Sequence, residues 1–500
     1  MFPDTAPPLY ARGFCLSATA VSMLDELDHY TSRQLHGHML YTDEVVETDI
    51  AEDGSDWAVI VGKAFPLSTG TLPTDGASLA EPLLRFARDH GLPTVEEALY
   101  DLGGRYALLI ALRGNIYVYN DACATRSVYF TDSATIVCSH LDMIARISGV
   151  IDATPLYTMN VQPERMWEST KYRGIKSLLA NHTVHLPSGL TYRFYPTGLN
   201  RATGLSHEER LATVRHLWEE QLDQIIDGAH HGLASSVTGG LDSRTMLALA
   251  GERIHRFQTM TYTTANAVQG ISAESNWGRV LEKDYLIVQL LERFLPEGHR
   301  YITRKPGTWP AAQEAILDRN SAIKHGRWIL FGYSELFPDR RAVHYRGNLL
   351  EIGRLHMRTP TDTKSAIARL EGIVFGANSK YEEDAALLDY TARAGMAKLG
   401  YRALPEGYDP TDMWYWELRH SRWYNEVLNE TDIVFDTVSP VNCRRILDIF
   451  LSYSEMDRND AFFQQELIYN ANPYLMLPGI NSLDTLYRQF VSSGIPRPLP

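Results

Sequence analysis

The chain has 500 residues, more than one hydrophobic core usually serves, so its length predicts two domains. Hydrophobic residues make up 44% and charged residues 22%, as in globular proteins rather than disordered or fibrous ones. The formal charge of -14 repels a polyanion at long range. Because no long Lys/Arg run offsets this charge, general nucleic-acid binding is not expected.

The first residues and the length of the apolar stretches indicate where in the cell the protein is expected. The start M-F-P-D-T-A-P-P carries an acid and several prolines, where a signal peptide needs a basic start and an uninterrupted apolar segment. No stretch approaches the roughly 18 apolar residues of a membrane span. We therefore expect a cytoplasmic protein that does not engage a membrane.

The cysteines are far apart and form no C-x-x-C pair, so neither a zinc site nor a redox pair is indicated. They are Cys15, Cys123, Cys138 and Cys443. Buried reduced thiols are the expected state.

Short strands dominate the first ~200 residues. Two apolar runs, 106–112 and 116–119, are joined by R-G-N and predict a β-hairpin. Two further strands are predicted over 127–131 and 135–139.

The pattern changes at Ser206, which stands three residues before Glu209 and predicts a capped helix. A buried strand over 233–237 follows, and then a helix over 244–250. A strand over 257–263, a helix over 283–294 and a strand over 342–345 come next. Strands that alternate with helices predict a parallel sheet covered on both faces. Beyond about residue 360, aromatic-rich helices are predicted.

A loop with two glycines follows the predicted strand 233–237. Its sequence is Thr238-Gly239-Gly240-Leu241-Asp242-Ser243. The glycines let the backbone turn tightly and point N–H groups at phosphate oxygens, and the helix start adds its unpaired N–H groups. The hydroxyls add donors, whereas Asp242 suits Mg²⁺ as a ligand. The 238–243 loop therefore predicts a pyrophosphate site; the alternative is an ordinary strand-to-helix turn.

This loop resembles the S-G-G-x-D-S signature of the ATP pyrophosphatases, with Thr238 in place of the first serine. Within that group the chain is similar to the asparagine synthetase class, which includes β-lactam synthetases and lasso-peptide cyclases. Segments similar to that class's amidotransferase strands occur in the same order, at residues 102–107, 119–122, 126–130, 139–142 and 174–178.

The resemblance implies an α/β protein of two domains. Residues 1–200 would form an N-terminal β-rich sandwich of the Ntn-hydrolase type. Residues 201–500 would form a parallel-sheet ATP-pyrophosphatase domain of the HUP type with a helical C-terminal part.

The N-terminus departs from this class. A working glutaminase of the class uses an N-terminal cysteine as its nucleophile, whereas position 2 is Phe2. Cys15 would become terminal only after removal of a prosegment, and C-L-S-A is unlike the class's C-G-I start. We therefore expect a glutaminase-like domain without glutaminase activity, with Cys15 in its core.

The resemblance also implies a second group of site residues. The sequence G-N-L-L-E at 347–351 stands where the class has G-x-G-x-D-E, so Glu351 takes the place of the metal-binding acid. Asp242 and Glu351 would then share Mg²⁺ at the carboxyl edge of the sheet. The alternative is that Glu351 is a surface acid after a turn. Val237, Thr261 and Gly347 complete the expected nucleotide contacts.

Residues 412–423 are similar to the helix that closes one wall of the substrate site in this class. We expect Glu417 and Arg419 to face the cleft from that helix as catalytic polar groups. The class also places a lysine in a late loop to stabilise charge during attack on the acyl-adenylate, but no lysine follows Lys398. Either Arg488 or another arginine substitutes for it, or the second half-reaction differs.

Together these features predict an ATP-dependent, AMP-forming amide ligase with ATP and Mg²⁺ as cofactors. A substrate carboxylate attacks the α-phosphorus, pyrophosphate leaves, and a nitrogen nucleophile displaces AMP. The expected partners are a small-molecule or peptide carboxylate and an amine, or ammonia, that does not come from glutamine. The oligomeric state stays open and is compatible with a homodimer. Two other functions stay open as well: nucleobase modification, and a degenerate non-catalytic homologue that acts as a binding or regulatory partner.

Overall fold

The computed structural model describes residues 6–132, 136–152, 167–303, 309–362, 364–376 and 385–484. It is a mixed α/β structure with two antiparallel sheets, one parallel sheet and a helical C-terminal part. The strands are β1 Phe14–Ser17, β2 Tyr30–Leu35, β3 His38–Asp43, β4 Thr48–Asp53, β5 Asp56–Pro66, β6 Leu102–Leu112, β7 Asn115–Asn120, β8 Tyr129–Thr131, β9 Ile136–Cys138, β10 Ile175–Ser177, β11 His182–His185, β12 Leu190–Arg193, β13 Leu233–Ser236, β14 Gln258–Thr263, β15 Arg300–Thr303, β16 Val343–Tyr345 and β17 Asp436–Val438.

The helices alternate with the later strands and then follow them. They are α1 Ser22–Asp25, α2 Ala80–His90, α3 Leu92–Ala98, α4 Leu141–Ser148, α5 His207–Gly228, α6 Leu241–Ala250, α7 Ala265–Val268, α8 Asn276–Leu291, α9 Ala311–Asn320, α10 Leu330–Leu336, α11 Ala366–Gly376, α12 Ala385–Lys398, α13 Pro410–Trp414, α14 Asn425–Thr431, α15 Arg444–Leu451, α16 Glu455–Asn459 and α17 Phe462–Ala471. A π-helical segment, Tyr415–Tyr424, joins α13 to α14. No described helix is long and apolar enough to cross a membrane.

Two six-stranded antiparallel sheets form the first part of the chain. Their strand orders are β10-β8-β9-β1-β3-β2 and β12-β11-β7-β6-β5-β4. Residues of both sheets, among them Phe14, Val59 and Leu109, share one buried apolar cluster. The predicted hairpin is confirmed: Leu112 pairs with Asn115 across a two-residue turn with positive φ at both positions, which the twist of a tight hairpin favours.

The third sheet is parallel, with strand order β15-β14-β13-β16-β17. The chain enters at the central strand β13, adds β14 and β15 on one side, and then crosses to β16 and β17 on the other. The order therefore reverses between β13 and β16. At such a switch point the connections after the two strands diverge and leave a crevice at the carboxyl edge, where open α/β sheets bind ligands.

Local sequence sets the first residue of each helix around this crevice. Helix α5 carries the predicted capping box, with Ser206 and Glu209 bonded reciprocally. Helix α6 begins at Leu241 rather than at the predicted residue 244, so Asp242 lies in its first turn. Helix α8 begins at Asn276, seven positions before the predicted 283, because the Ser275 side chain caps it by accepting from the Gly278 N–H.

Buried polar contacts join the parallel-sheet part to the antiparallel part. Arg105 of β6 donates to both oxygens of Asp432, at 2.5 and 2.7 Å, and to Asp436 at 3.0 Å. Asp448 of α15 accepts from the hydroxyls of three tyrosines, Tyr100, Tyr195 and Tyr408. Because an unpaired charge costs far more in a buried interface than in water, these contacts favour one relative placement of the parts.

Candidate active site

The 238–243 loop is shaped by its own hydroxyl groups. The Ser243 hydroxyl accepts from the Thr238 N–H at 3.0 Å and donates to the Thr238 carbonyl at 2.8 Å. The Gly240 N–H donates to Thr238 Oγ1 at 3.3 Å, and the Gly239 N–H donates to Asp284 Oδ1 at 2.9 Å. The hydroxyls of Thr238 and Ser243 therefore hold the turn in shape. The Gly239 N–H already has an acceptor, the carboxylate of Asp284.

Two glycines are required by close packing at this site. A Cβ at Gly239 would lie 2.7 Å from Ile287 Cδ1, and one at Gly347 would lie 2.9 Å from the Asp242 carbonyl. Both contacts are shorter than side chains tolerate, so the loop after β16 approaches the first turn of α6 only because residue 347 is glycine.

Val237 and Thr261 lie beneath the loop. Both are buried, and the Thr261 hydroxyl donates to the Val237 carbonyl at 2.7 Å. The Thr261 side chain and the Val237 main chain therefore join β14 to the end of β13, and the nucleotide contact expected of both residues stays a prediction.

Asp242 and Glu351 come together across the switch point. Arg354 Nη2 donates to Asp242 Oδ2 at 2.9 Å and lies 3.8 Å from Glu351 Oε2. Asp242 is 29% and Glu351 24% exposed, so both carboxylates reach the crevice. Gln464 of α17 donates to Asp242 Oδ1 at 3.2 Å and ties the helical part to the same point.

Both carboxylates have a raised pKa. Partial burial raises the pKa of Asp242, while Arg354 and Gln464 oppose the rise. Burial also raises the pKa of Glu351, and the nearby charge of Asp242 raises it further. Carboxylates with a raised pKa in a crevice are typical of functional sites.

Within the described ranges, no group of three or more His, Cys, Asp or Glu side chains comes together as a metal site. Asp242 and Glu351 nevertheless fit Mg²⁺, which is commonly held by one or two carboxylates with substrate phosphates and water as its other ligands.

The π-helical segment Tyr415–Tyr424 forms one wall beside Glu351. Its His420 Nε2 lies 3.2 Å from Glu351 Oε1. Burial lowers the pKa of His420 to about 3, so the imidazole is neutral at neutral pH. Arg419 stacks on Trp423, with its guanidinium carbon 4.3 Å from the ring centroid, and its charge lowers the pKa of Glu351. The structure therefore puts Arg419 near the crevice.

Glu417 does not face this crevice, and the expectation for it has to be corrected. Its side chain is fully buried and forms a bidentate ion pair with Arg193 at the end of β12. Asn181 donates to the same carboxylate at 3.0 Å. In a helical segment whose successive residues point in different directions, Glu417 faces the antiparallel part while Arg419 and His420 face Glu351. Glu417 therefore stabilises the contact between the two parts of the chain.

Sequence reasoning missed Arg354, Gln464 and Asp284. Arg354 follows Glu351 by three residues and could have been noticed as a cation one turn after the acid. Asp284 and Gln464 lie on helices far from the loop in sequence, and no motif marks them. Arg488, considered as a substitute for the absent lysine, lies outside the described residues; the described cations whose charge reaches Glu351 are Arg346, Arg354 and Arg419.

Arg244 joins the loop to the segment after α17. Its guanidinium donates to the carbonyls of Gly239, Leu475, Pro478 and Gly479, at distances between 2.6 and 3.2 Å. The Asn481 N–H also donates to the Gly239 carbonyl, at 3.1 Å. Residues 475–481 are thereby held against the 238–243 loop.

A cavity of about 200 Å³ opens beside the loop at the carboxyl edge of the sheet. Tyr262 at the end of β14, Arg346 after β16 and Asp284 of α8 line it, together with Trp277 and Trp328. The rings of Trp277 and Trp328 meet edge to face, with centroids 4.9 Å apart. The cavity therefore combines aromatic walls with one cation and one carboxylate.

A larger cavity, of about 970 Å³, lies in the antiparallel part and is lined by residues of β2 to β5 and by residues 73–79. None of the cysteines lines it. Cys15 is buried, with its sulfur 3.2 Å from that of Cys138, as the prediction of core thiols requires. Cys443 is buried near the Tyr100 carbonyl, at 3.6 Å.

No protein-family model matches the chain, and no curated protein matches it. Among solved structures, one described as the allosteric regulatory enzyme of purine biosynthesis is 13% identical, with 45% of this chain and 54% of that chain covered and a TM-score of 0.24. Glutamine phosphoribosylpyrophosphate amidotransferase from B. subtilis, complexed with ADP and GMP, is 10% identical over 62% of this chain and 83% of that one, also with a TM-score of 0.24. The chain thus spans about half the length of the first structure. Overlaps this weak carry no argument about fold or function.

Proposed function

We propose that the protein is an ATP-dependent amide ligase of the asparagine synthetase class of ATP pyrophosphatases, with an inactive glutaminase-like domain of the Ntn type and a synthetase domain of the HUP type. The observation that carries the proposal is the meeting of Asp242 and Glu351 at the switch point between β13 and β16. A glycine loop and a helix start can bind the phosphates of a nucleoside triphosphate, and two carboxylates beside them can bind its metal.

In the proposed reaction, an oxygen of the substrate carboxylate forms a bond to the α-phosphorus of ATP, and the bond to the β-phosphate oxygen breaks to release pyrophosphate. A nitrogen nucleophile then forms the amide bond, loses a proton and releases AMP. Bound Mg²⁺ would offset the charge on the departing pyrophosphate, held by Asp242 and Glu351. Arg346, Arg354 and Arg419 supply the positive charge that the class takes from a lysine.

Two contacts would have to change when nucleotide binds. The Gly239 N–H donates to Asp284, and Asp242 is paired with Arg354. A phosphate oxygen would take the place of Asp284 on the N–H, and the metal would take the place of Arg354 on Asp242. One anionic acceptor would replace another on the Gly239 N–H, and one cation would replace another on Asp242, so the backbone path of the loop is retained.

Those same two contacts favour a second candidate function, a non-catalytic homologue that retains the fold and binds a partner. In that case Arg354 stays paired with Asp242, the carboxylate that would hold the metal in the ligase. The two candidates differ in nucleotide chemistry and not in fold.

The test is Mg²⁺-dependent exchange of labelled pyrophosphate into ATP, measured with a panel of carboxylates. The ligase predicts exchange that requires both a carboxylate and Mg²⁺, and that is lost in Asp242→Asn. If the protein does not bind ATP and shows no pyrophosphate exchange with any carboxylate, the ligase is rejected in favour of the non-catalytic homologue.

A further inference from the structure

Two residues that line the cavity beside the 238–243 loop, Asp284 and Arg346, link it to the candidate active site. Its carboxylate, Asp284, accepts from the Gly239 N–H at 2.9 Å. Its cation, Arg346, is near enough to Glu351 for the two charges to interact. A molecule in this cavity would therefore lie between the loop and the second carboxylate.

The walls of the cavity are aromatic. Tyr262, Trp277 and Trp328 line it, and Trp328 meets both other rings edge to face, with centroids 5.7 and 4.9 Å away. Trp277 is 43% exposed, so its ring stands at the opening. Edge-to-face ring pairs leave faces available for a further flat ring.

The charges of the lining favour a single negative group. Arg346 forms no ion pair with a carboxylate in the described part of the chain, and its charge opposes the rise that burial causes in the pKa of the neighbouring Tyr262. His325, the other basic group of the lining, is neutral at neutral pH because burial and the charges of Arg346 and Arg419 lower its pKa. Asp284, which also lines the cavity, would repel a second anionic group.

The volume limits the size of the occupant. A cavity of about 150 Å³ is enough for one benzene ring. The 200 Å³ found here therefore accommodates one ring with a small substituent and leaves no room for a peptide.

From these features we propose that the cavity binds a small aromatic monocarboxylate, with its ring against Tyr262, Trp277 and Trp328 and its carboxylate on Arg346. The inference rests on the proposed function in one respect: the bound carboxylate is the acid that the ligase activates. The charges of the lining disfavour dicarboxylates and the volume excludes peptides, which narrows the substrate class beyond what the 238–243 loop implies.

Calorimetric titration of the full chain with benzoate, in the absence of nucleotide, tests the proposal. Benzoate is expected to bind at one site, and phthalate, which carries a second carboxylate, at least about tenfold more weakly. Arg346→Gln is expected to weaken benzoate binding at least about tenfold, because a hydrogen bond to a charged group is lost. Arg341→Gln is the matched control, since Arg341 pairs with Asp339 on the surface, and it should leave binding unchanged.

Asp284→Asn provides a gain-of-function measurement that does not depend on Arg346. An amide oxygen still accepts from the Gly239 N–H, but the negative charge is gone, so phthalate should approach the affinity of benzoate to within about threefold. Failure of benzoate to bind, equal binding of benzoate and phthalate to the wild type, or unchanged benzoate binding in a folded Arg346→Gln variant would each overturn the proposal. Benzoate binding with this pattern, combined with no pyrophosphate exchange for any carboxylate, would support the cavity assignment and reject the ligase.

Discussion

The carboxylates of Asp242 and Glu351 share one guanidinium, that of Arg354, although they follow different strands of the parallel sheet. Asp242 lies in the first turn of α6 after β13, and Glu351 lies in the turn after β16. Because the strand order reverses between these strands, the two acids face one crevice. Their shared cation balances the negative charge that a bound metal would balance in the proposed ligase.

Asp242→Asn is expected to abolish ATP turnover and leave the fold intact. The amide keeps the shape but not the charge, and the loss of such transition-state stabilisation costs about 3 kcal/mol or more, at least about a hundredfold in rate. Folding should change by about 1 kcal/mol or less, because the pair with Arg354 is partly exposed. Pyrophosphate release and the thermal midpoint are measured on the same preparations, with Asp339→Asn as a surface control. Turnover within about tenfold of wild type would remove Asp242 from the metal site.

Glu351→Gln is expected to raise the Mg²⁺ concentration needed for half-maximal activity, with a smaller effect at saturating metal. The variant removes one of two carboxylates and also relieves their mutual repulsion, so its thermal midpoint should not fall. A Mg²⁺ titration of activity at fixed ATP measures the effect. An unchanged titration curve would make Glu351 an acid that happens to lie near the crevice.

Glutamine is not expected to serve as nitrogen donor. All four cysteines of the chain are buried, and burial raises the thiol pKa of Cys123, Cys138 and Cys443, so none is a ready nucleophile. Glutamate release is measured alongside product formation with ammonia as the alternative donor, and thiol labelling of the native protein should be negligible. Glutamate released at the rate of product formation would refute the expectation.

Glu417→Gln is expected to destabilise the protein by about 3 kcal/mol, because it leaves the charge of Arg193 without a countercharge in a buried interface. The double variant Arg193→Gln/Glu417→Gln should recover part of this loss. Denaturant unfolding measures both, and KM and kcat of the folded fraction should change little. A large fall in kcat without loss of stability would return Glu417 to the catalytic residues.

Glu430 is expected to make stability depend on pH. Burial raises its pKa from 4.5 to about 7, against the opposing effects of the Gly326 N–H and Arg327. The folded state therefore prefers the protonated acid, so this stabilisation is complete below about pH 4.5 and is lost as the pH rises through about 7. Glu430→Gln should show a smaller fall in thermal midpoint than wild type between about pH 5 and about pH 8. The corresponding loss of unfolding free energy in the wild type is up to about 3 kcal/mol. Glu297→Gln, at an exposed acid, is the control, and identical pH profiles for Glu430→Gln and wild type would contradict the expectation.

The sequence predicted local features well and long-range contacts poorly. The capping box at Ser206, the hairpin at 113–114 and the strand–loop–helix unit around residue 240 each depend on neighbouring residues, and the structure has all three. The short strand β17 was not anticipated, because three residues do not show a period.

The same contrast between local features and long-range contacts applies to the candidate site. The meeting of Asp242 and Glu351 follows from two motifs and the rule for parallel sheets, whereas the partners of these acids come from α17 and from the turn after β16. Glu417 and Arg419 are two residues apart, yet they face opposite directions, and only the packing of the π-helical segment decides which one reaches the crevice. Residue type alone could not make that distinction.

The clamp formed by Arg244 recognises the main chain. Each of its four guanidinium hydrogen bonds ends on a backbone carbonyl, one in the loop and three in the segment that follows α17. Every amino acid supplies such a carbonyl, so substitutions at positions 475, 478 and 479 can alter the side chains above the loop while the clamp persists. Side chains at this rim of the site can therefore change in evolution while the 238–243 turn keeps its shape.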